Sequence, residues 1–118
     1  MATITITDRI YNFKDHTKGD TFNSRKFTFP FVITGCEIII QFRLKSVNVN
    51  LNPVVFEWKS DDNTFEIINE YQAVMKSKIL DVPIGKYEYD LRIKFTDGVV
   101  YTYFKGTQPI ITNISTIL

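Results

Sequence analysis

Cysteine occurs once in these 118 residues, at Cys36, so no disulfide can form within the chain. That excludes the small secreted scaffolds held by cystine frameworks and fits a reducing or redox-indifferent compartment. Histidine is equally scarce. His16 has no second His or Cys at ligand spacing, so no metal site is expected, and it lies too far in sequence from Cys36 to suggest a nucleophile–base pair. Cys36 itself follows a Gly35 turn and enters an apolar run, which is the setting of a small buried hydrophobe. The five glycines fall at turns, and no G-x-S-x-G, Walker or Rossmann pattern is present. No apolar run approaches the eighteen residues that a membrane-crossing helix requires. Charge of one sign is lacking too. Fourteen basic and thirteen acidic residues are spread evenly, without the basic stripe of a nucleic-acid binder. Lys26, Lys45, Lys59 and Lys94 stand singly between apolar neighbours, as on the solvated face of a strand.

What the chain does have is aromatic and β-branched bulk, including ten Phe and six Tyr. Each large apolar side chain contributes about 1.5–3 kcal/mol when fully buried. Residues 1–118 therefore suffice for one domain that folds without a metal or cofactor. The first residues alternate Thr and Ile at once, with none of the basic and continuous apolar segments of a signal peptide, so a cytoplasmic site of synthesis is expected.

Period-two alternation dominates the sequence. Ile4 and Ile6 alternate with threonines, making residues 1–8 an N-terminal arm or an edge strand. Residues 12–23 are polar and read as a long loop or a short strand between turns. Phe27, Phe29, Phe31 and Ile33 share one face, and Pro30 requires that strand to lie at an edge or to end before Phe31. Ile38, Ile40, Phe42 and Leu44 point inward on the next strand, with Ile39 as its misfit. Val47, Val49 and Leu51 continue it or begin another. Val54, Phe56 and Trp58 share a face, and Ser60-Asp61-Asp62-Asn63 is a turn rich in side chains that bond their own backbone. Phe65 and Ile67 face inward. Residues 70–80 carry Tyr71, Val74, Met75 and Ile79 at helical spacing, yet their surroundings favour a strand with a bulge at Val74-Met75 and Ile79 facing in.

The longest alternation follows Pro83-Ile84-Gly85. Tyr87, Tyr89, Leu91, Ile93 and Phe95 lie on one face, and Asp97-Gly98 then predicts a hairpin into residues 99–105. Gly106 to Pro109 is expected to break that strand, leaving a short last one. The sum is eight to ten short strands with turns every 8–12 residues, an all-β fold. An antiparallel two-sheet, immunoglobulin-like sandwich is favoured over an up-and-down barrel. In immunoglobulin-like domains a Tyr near the start of strand F bonds back to the preceding turn. Pro83, Gly85, Tyr87 and Tyr89 occupy that corner, or the two tyrosines simply face the core.

Candidate chemistry is thin. Asp61-Asp62 lacks the further oxygen ligands of a calcium loop. Asp90 reads as a cross-strand ion pair with no catalytic part. No catalytic, cofactor-binding or metal-binding residues are assigned, and an enzyme is not expected. Tyr101, Tyr103 and Phe104 pose the one functional question, because a regular strand cannot bury both faces against one core. Exposed tyrosines there would suit a subunit interface, and the apolar residues 113–118, ending Ile117-Leu118, suit a docking tail.

Several of these motifs, in order, resemble a group of small tailed-bacteriophage proteins with an immunoglobulin-like domain, found at the N-terminus of baseplate upper proteins. The similar stretches are Gly19-Asp20-Thr21-Phe22, Ile33-Thr34-Gly35 leading to Phe42-Arg43-Leu44, residues 83–91, Asp97-Gly98, Gly106 and residues 111–115. Cys36, where a small Ala-like residue is usual, and the lack of a long C-terminal extension depart from the pattern. The resemblance implies a virion structural protein of the tail, baseplate or capsid decoration, present as repeated copies in a symmetric assembly. Ile4, Ile6, Tyr101, Tyr103, Ile117 and Leu118 are then the candidate interface residues, with other virion proteins or a second copy as partners and no nucleic acid, membrane or small ligand. The alternative is a stand-alone carbohydrate- or peptide-binding module using Tyr101, Tyr103 and Trp58.

Overall fold

A computed structural model describes residues 2–5, 9–45 and 52–112. Among them the strands are β1 (Ala2–Thr5), β2 (His16–Thr17), β3 (Thr21–Phe22), β4 (Arg25–Thr28), β5 (Glu37–Leu44) and β6 (Phe56–Lys59). A 3-10 turn at Ser60–Asp62 precedes β7 (Phe65–Ile67), β8 (Gln72–Met75), β9 (Lys78–Ile79), β10 (Gly85–Lys94) and β11 (Val100–Ile111). The count exceeds eight to ten because β2, β3 and β9 are two-residue pieces inside turn-rich segments.

One sheet has the order β1-β4-β8-β7 and the other β2-β11-β10-β5-β6, while β3 and β9 pair along a flank. These orders are the ABED and A′GFCC′ sheets of an immunoglobulin-like sandwich. Pairing is antiparallel except at two edges, where β1 lies parallel to β4 and β2 parallel to β11. Phe27, Phe65, Ala73 and Met75 from the first sheet meet Ile38, Ile40, Phe42, Trp58, Leu91 and Phe104 from the second. Phe42 stacks on Phe56 at 4.4 Å and on Tyr89 at 4.9 Å between ring centroids. The Trp58 indole donates to the Lys76 carbonyl at 2.7 Å, tying β6 to the chain just beyond β8 in the other sheet. Burial of that ring therefore leaves no unpaired N–H.

Four expectations change. Residues 70–80 are strand, as favoured, but their inward residues are Ala73 and Met75, and Ile79 is 67% exposed because β9 pairs only with β3 on the flank. Tyr103 and Phe104 are both buried. The ladder runs Leu91↔Phe104 and then Arg92↔Thr102, so Tyr103 is the extra residue of a β-bulge and two consecutive side chains turn inward. Strand β11 does not break at Gly106. It continues through it, with Gly106 paired to Tyr89 of β10, and the glycine is needed because the Tyr11 carbonyl crosses where a side chain would start, 1.7 Å from an added Cβ. Asp90 pairs with Arg92 of its own strand at 3.3 Å and not across the ladder. Pro30 lies beyond the end of β4, which meets the requirement that the strand stop before Phe31.

Candidate functional site

The register places three connections at one end of the sandwich: residues 29–36 between β4 and β5, 68–71 between β7 and β8, and 95–99 between β10 and β11. Backbone bonds hold the first two together, with Phe29 N–H on the Tyr71 carbonyl at 2.8 Å and Ile33 N–H on the Glu70 carbonyl at 2.7 Å. Aromatic contacts bind the third, since Phe31 lies 5.6 Å from Phe95 and 5.3 Å from Tyr103. The hairpin is set by Gly98 at φ +89° and by Asp97, whose carboxylate accepts the Val99 N–H at 3.0 Å. This tip exposes Val32, Ile68, Tyr71, Val99, Val100 and Tyr101. Single exposed apolar residues are ordinary on a surface, but six on one rim are not.

Arg9 borders the rim. Its Nη2 donates to the Thr102 carbonyl and its Nε to the Tyr103 carbonyl at 3.3 Å, and its guanidinium lies 4.9 Å from the Tyr101 ring centroid. Two carbonyls at the edge of β11 are thereby occupied, which works against addition of a foreign strand there.

At the opposite end, Tyr87 donates its hydroxyl to the Pro83 carbonyl at 2.7 Å, the bond of a tyrosine corner, and Gly85 begins β10 beside it. Tyr89 donates to the Tyr11 carbonyl, anchoring the 9–13 segment that runs along β11. Burial pushes the Tyr87 phenol up, and it pushes Tyr89 far up, with the Tyr11 phenol adding to the shift. This end exposes Ile84 and Ile111, and Ile79 is exposed on the flanking β3–β9 pair.

The remaining expected site residues are dispersed. Ile4 is buried in the chain's own core, so this residue of the N-terminal segment serves the fold and not a neighbour. Tyr103 is buried by the bulge, and Trp58 is fully buried. The platform of Tyr101, Tyr103 and Trp58 expected for a sugar or peptide ligand is therefore reduced to Tyr101. Ile6, Ile117 and Leu118, like Val47, Val49, Leu51 and the docking tail 113–118, lie outside the described residues. Val99 and Val100 went unassigned in the sequence, although two adjacent valines just after a turn break the alternation that would bury one of them.

Among the described residues polar chemistry does not converge on any one point. An open cleft of about 380 Å³ beside the tip is lined by Cys36, Glu37, Ser60, Asp61 and Glu66 among others. Ser60 Oγ already accepts the Ile38 N–H at 2.9 Å, and burial, with Asp97 nearby, pushes the Cys36 thiol up and away from a reactive thiolate. Asp62 accepts both the N–H and the hydroxyl of Thr64, which lowers its carboxyl. His16 donates Nε2 to the Asp20 carbonyl at 3.0 Å and packs against Phe22. Among the described residues no three His, Cys, Asp or Glu side chains are grouped to hold a metal.

No family model matches the chain. No curated protein matches it either. Among solved structures it is similar to CopC from Methylosinus trichosporium OB3b, at 14% identity and a TM-score of 0.47, over 89% of this chain and 91% of that one. A likeness of that degree says nothing about activity.

Proposed function

We propose that the chain is a non-enzymatic assembly protein of a bacteriophage particle, associated with its tail, baseplate or capsid and binding neighbouring subunits. The observation that carries this reading is the apolar rim of three stitched loops. Its six side chains remain exposed in the described fold, and apolar area left in water is characteristic of an interaction surface. The resemblance of residues 19–115 to phage immunoglobulin-like domains supplies the setting. Rigid loops on a sandwich also suit a subunit that docks without reshaping itself. Quantitative mass spectrometry of purified phage particles tests the reading: many copies of the chain per particle are expected, and its absence from particles refutes it. The carbohydrate-binding alternative is weakened by burial of Trp58 and Tyr103, because a single exposed ring at Tyr101 gives little stacking area.

A further inference from the structure

Among the described residues Gln108 is the one amide or charged side chain that is wholly buried. Its Nε2 donates to the Lys14 carbonyl at 2.9 Å and to the Pro109 carbonyl at 2.8 Å. Only a donor suits two carbonyls, so the amide cannot be turned over, and Oε1 is the atom left over. It is buried and accepts no hydrogen bond among the described residues. A buried acceptor without a donor keeps the full cost of leaving water.

A second acceptor is left open close by. The 9–17 segment runs parallel to β11. Lys105 donates its N–H to the Arg9 carbonyl at 3.1 Å and accepts from Tyr11 at 2.9 Å, and Thr107 accepts from Phe13 at 2.9 Å. The next donor in that ladder would be residue 109, aimed at the Phe13 carbonyl, but proline there has no N–H. Phe13 is 5% exposed, and its carbonyl takes no other donor among the described residues. The segment also changes register here. Ile10 lies opposite Lys105 and His16 opposite Ile110, six residues along against five, so the segment carries one extra. It falls between Phe13 and His16, where the Gln108 amide reaches over to Lys14.

We infer that an internal water is bound at this point, donating one O–H to Gln108 Oε1 and the other to the Phe13 carbonyl. Gln108 holds Lys14, the residue after Phe13, so its amide head and the Phe13 carbonyl lie on the same short stretch of the segment. Two acceptors need two donors, and one molecule of water carries both. A metal ion fits less well, because Nε2 already occupies the Lys14 and Pro109 carbonyls and two free oxygens are too few for a hard cation. The water stands in for the N–H that Pro109 lacks, where the segment takes up its extra residue.

A crystal structure of the full chain that shows ordered water tests this directly. A peak at about 2.5–3.0 Å from both oxygens is expected. No peak there, or a protein donor on Gln108 Oε1, overturns the inference. In solution, the carbon-bound protons of Gln108 should give cross-peaks to water of opposite sign in laboratory-frame and rotating-frame experiments, the signature of a water held longer than the molecule takes to tumble. Cross-peaks of like sign, as from passing surface water, or none at all overturn it too. Gln108→Met keeps the length of the side chain without its oxygen. With its fold checked by thermal unfolding, the water signal at residue 108 and at Phe13 should be lost, and a signal that persists shows that Oε1 does not hold the water. Should that variant not fold, the two wild-type measurements decide.

Discussion

Two tyrosines in the base illustrate how a polar atom on an apolar ring is used. Tyr87 is wholly buried and its hydroxyl reaches back to Pro83, so the ring fills the core while the oxygen closes the turn. Tyr87→Phe keeps the packing and loses the bond; a loss of about 1 kcal/mol is expected from urea denaturation, the usual net worth of such a bond. Tyr89 yields a pH prediction. Its folded phenol is pushed up by burial, whereas in the unfolded chain it titrates near about 10. Above that pH the unfolded state sheds a proton that the folded state keeps. Stability is therefore fully present below pH ~10 and falls as pH rises, by up to about 1.4 kcal/mol per unit for this one group. Tyr87 and Tyr103 are shifted in the same direction and steepen the fall. Denaturation midpoints measured from pH 9 to 11.5 should show a shallower decline in Tyr89→Phe than in the parent.

At the scale of elements, the decisive irregularities lie on β11. Its bulge buries Tyr103 beside Phe104, and its Gly106 lets the 9–13 segment cross at backbone distance. Gly106→Ala would drive a Cβ into the Tyr11 carbonyl, where the obstacle is backbone and not a flexible side chain. The expected cost is at least about 2 kcal/mol, toward the upper end for overpacked sites. Hydrogen exchange should show the Tyr11 and Phe13 amides, which bond to Lys105 and Thr107, losing protection first. Strand β1 tests the role of the N-terminal segment. Ile4 is 5% exposed, so Ile4→Ala should destabilise the monomer by about 2–3 kcal/mol. A dangling arm would show no change. Most of this was hidden in the sequence. Alternation reveals which face of a regular strand is inward, and it marked Phe27, Ile38, Ile40, Phe42, Leu91 and Ile93 correctly. A bulge resets the phase by one residue with no signature of its own, and a glycine needed for close approach looks like a glycine in a turn.

Over the whole molecule, the two sheets share a single apolar core, and Trp58 sits in it with its indole bonded across to Lys76. Trp58 fluorescence and far-ultraviolet circular dichroism should therefore follow one cooperative transition in urea, as expected for a small domain. Separate midpoints would show that the sheets come apart independently. The same global view locates the surface of interest. Residues 32, 71 and 100 are far apart in the chain, and each alone is an unremarked exposed hydrophobe.

From the sequence by itself came the all-β class, the inward faces of the regular strands, the Asp97-Gly98 hairpin and the Pro83–Tyr87 corner. All of these depend on local geometry, on period two and on the preferences of Pro, Gly and Asp at turns. Only the tertiary structure decided that Ile4 and Tyr103 belong to the core, and that three loops meet at one end of the sandwich with six exposed apolar side chains between them. Those outcomes depend on which strands pair and in what register, and such long-range choices leave no periodic trace in the residues themselves.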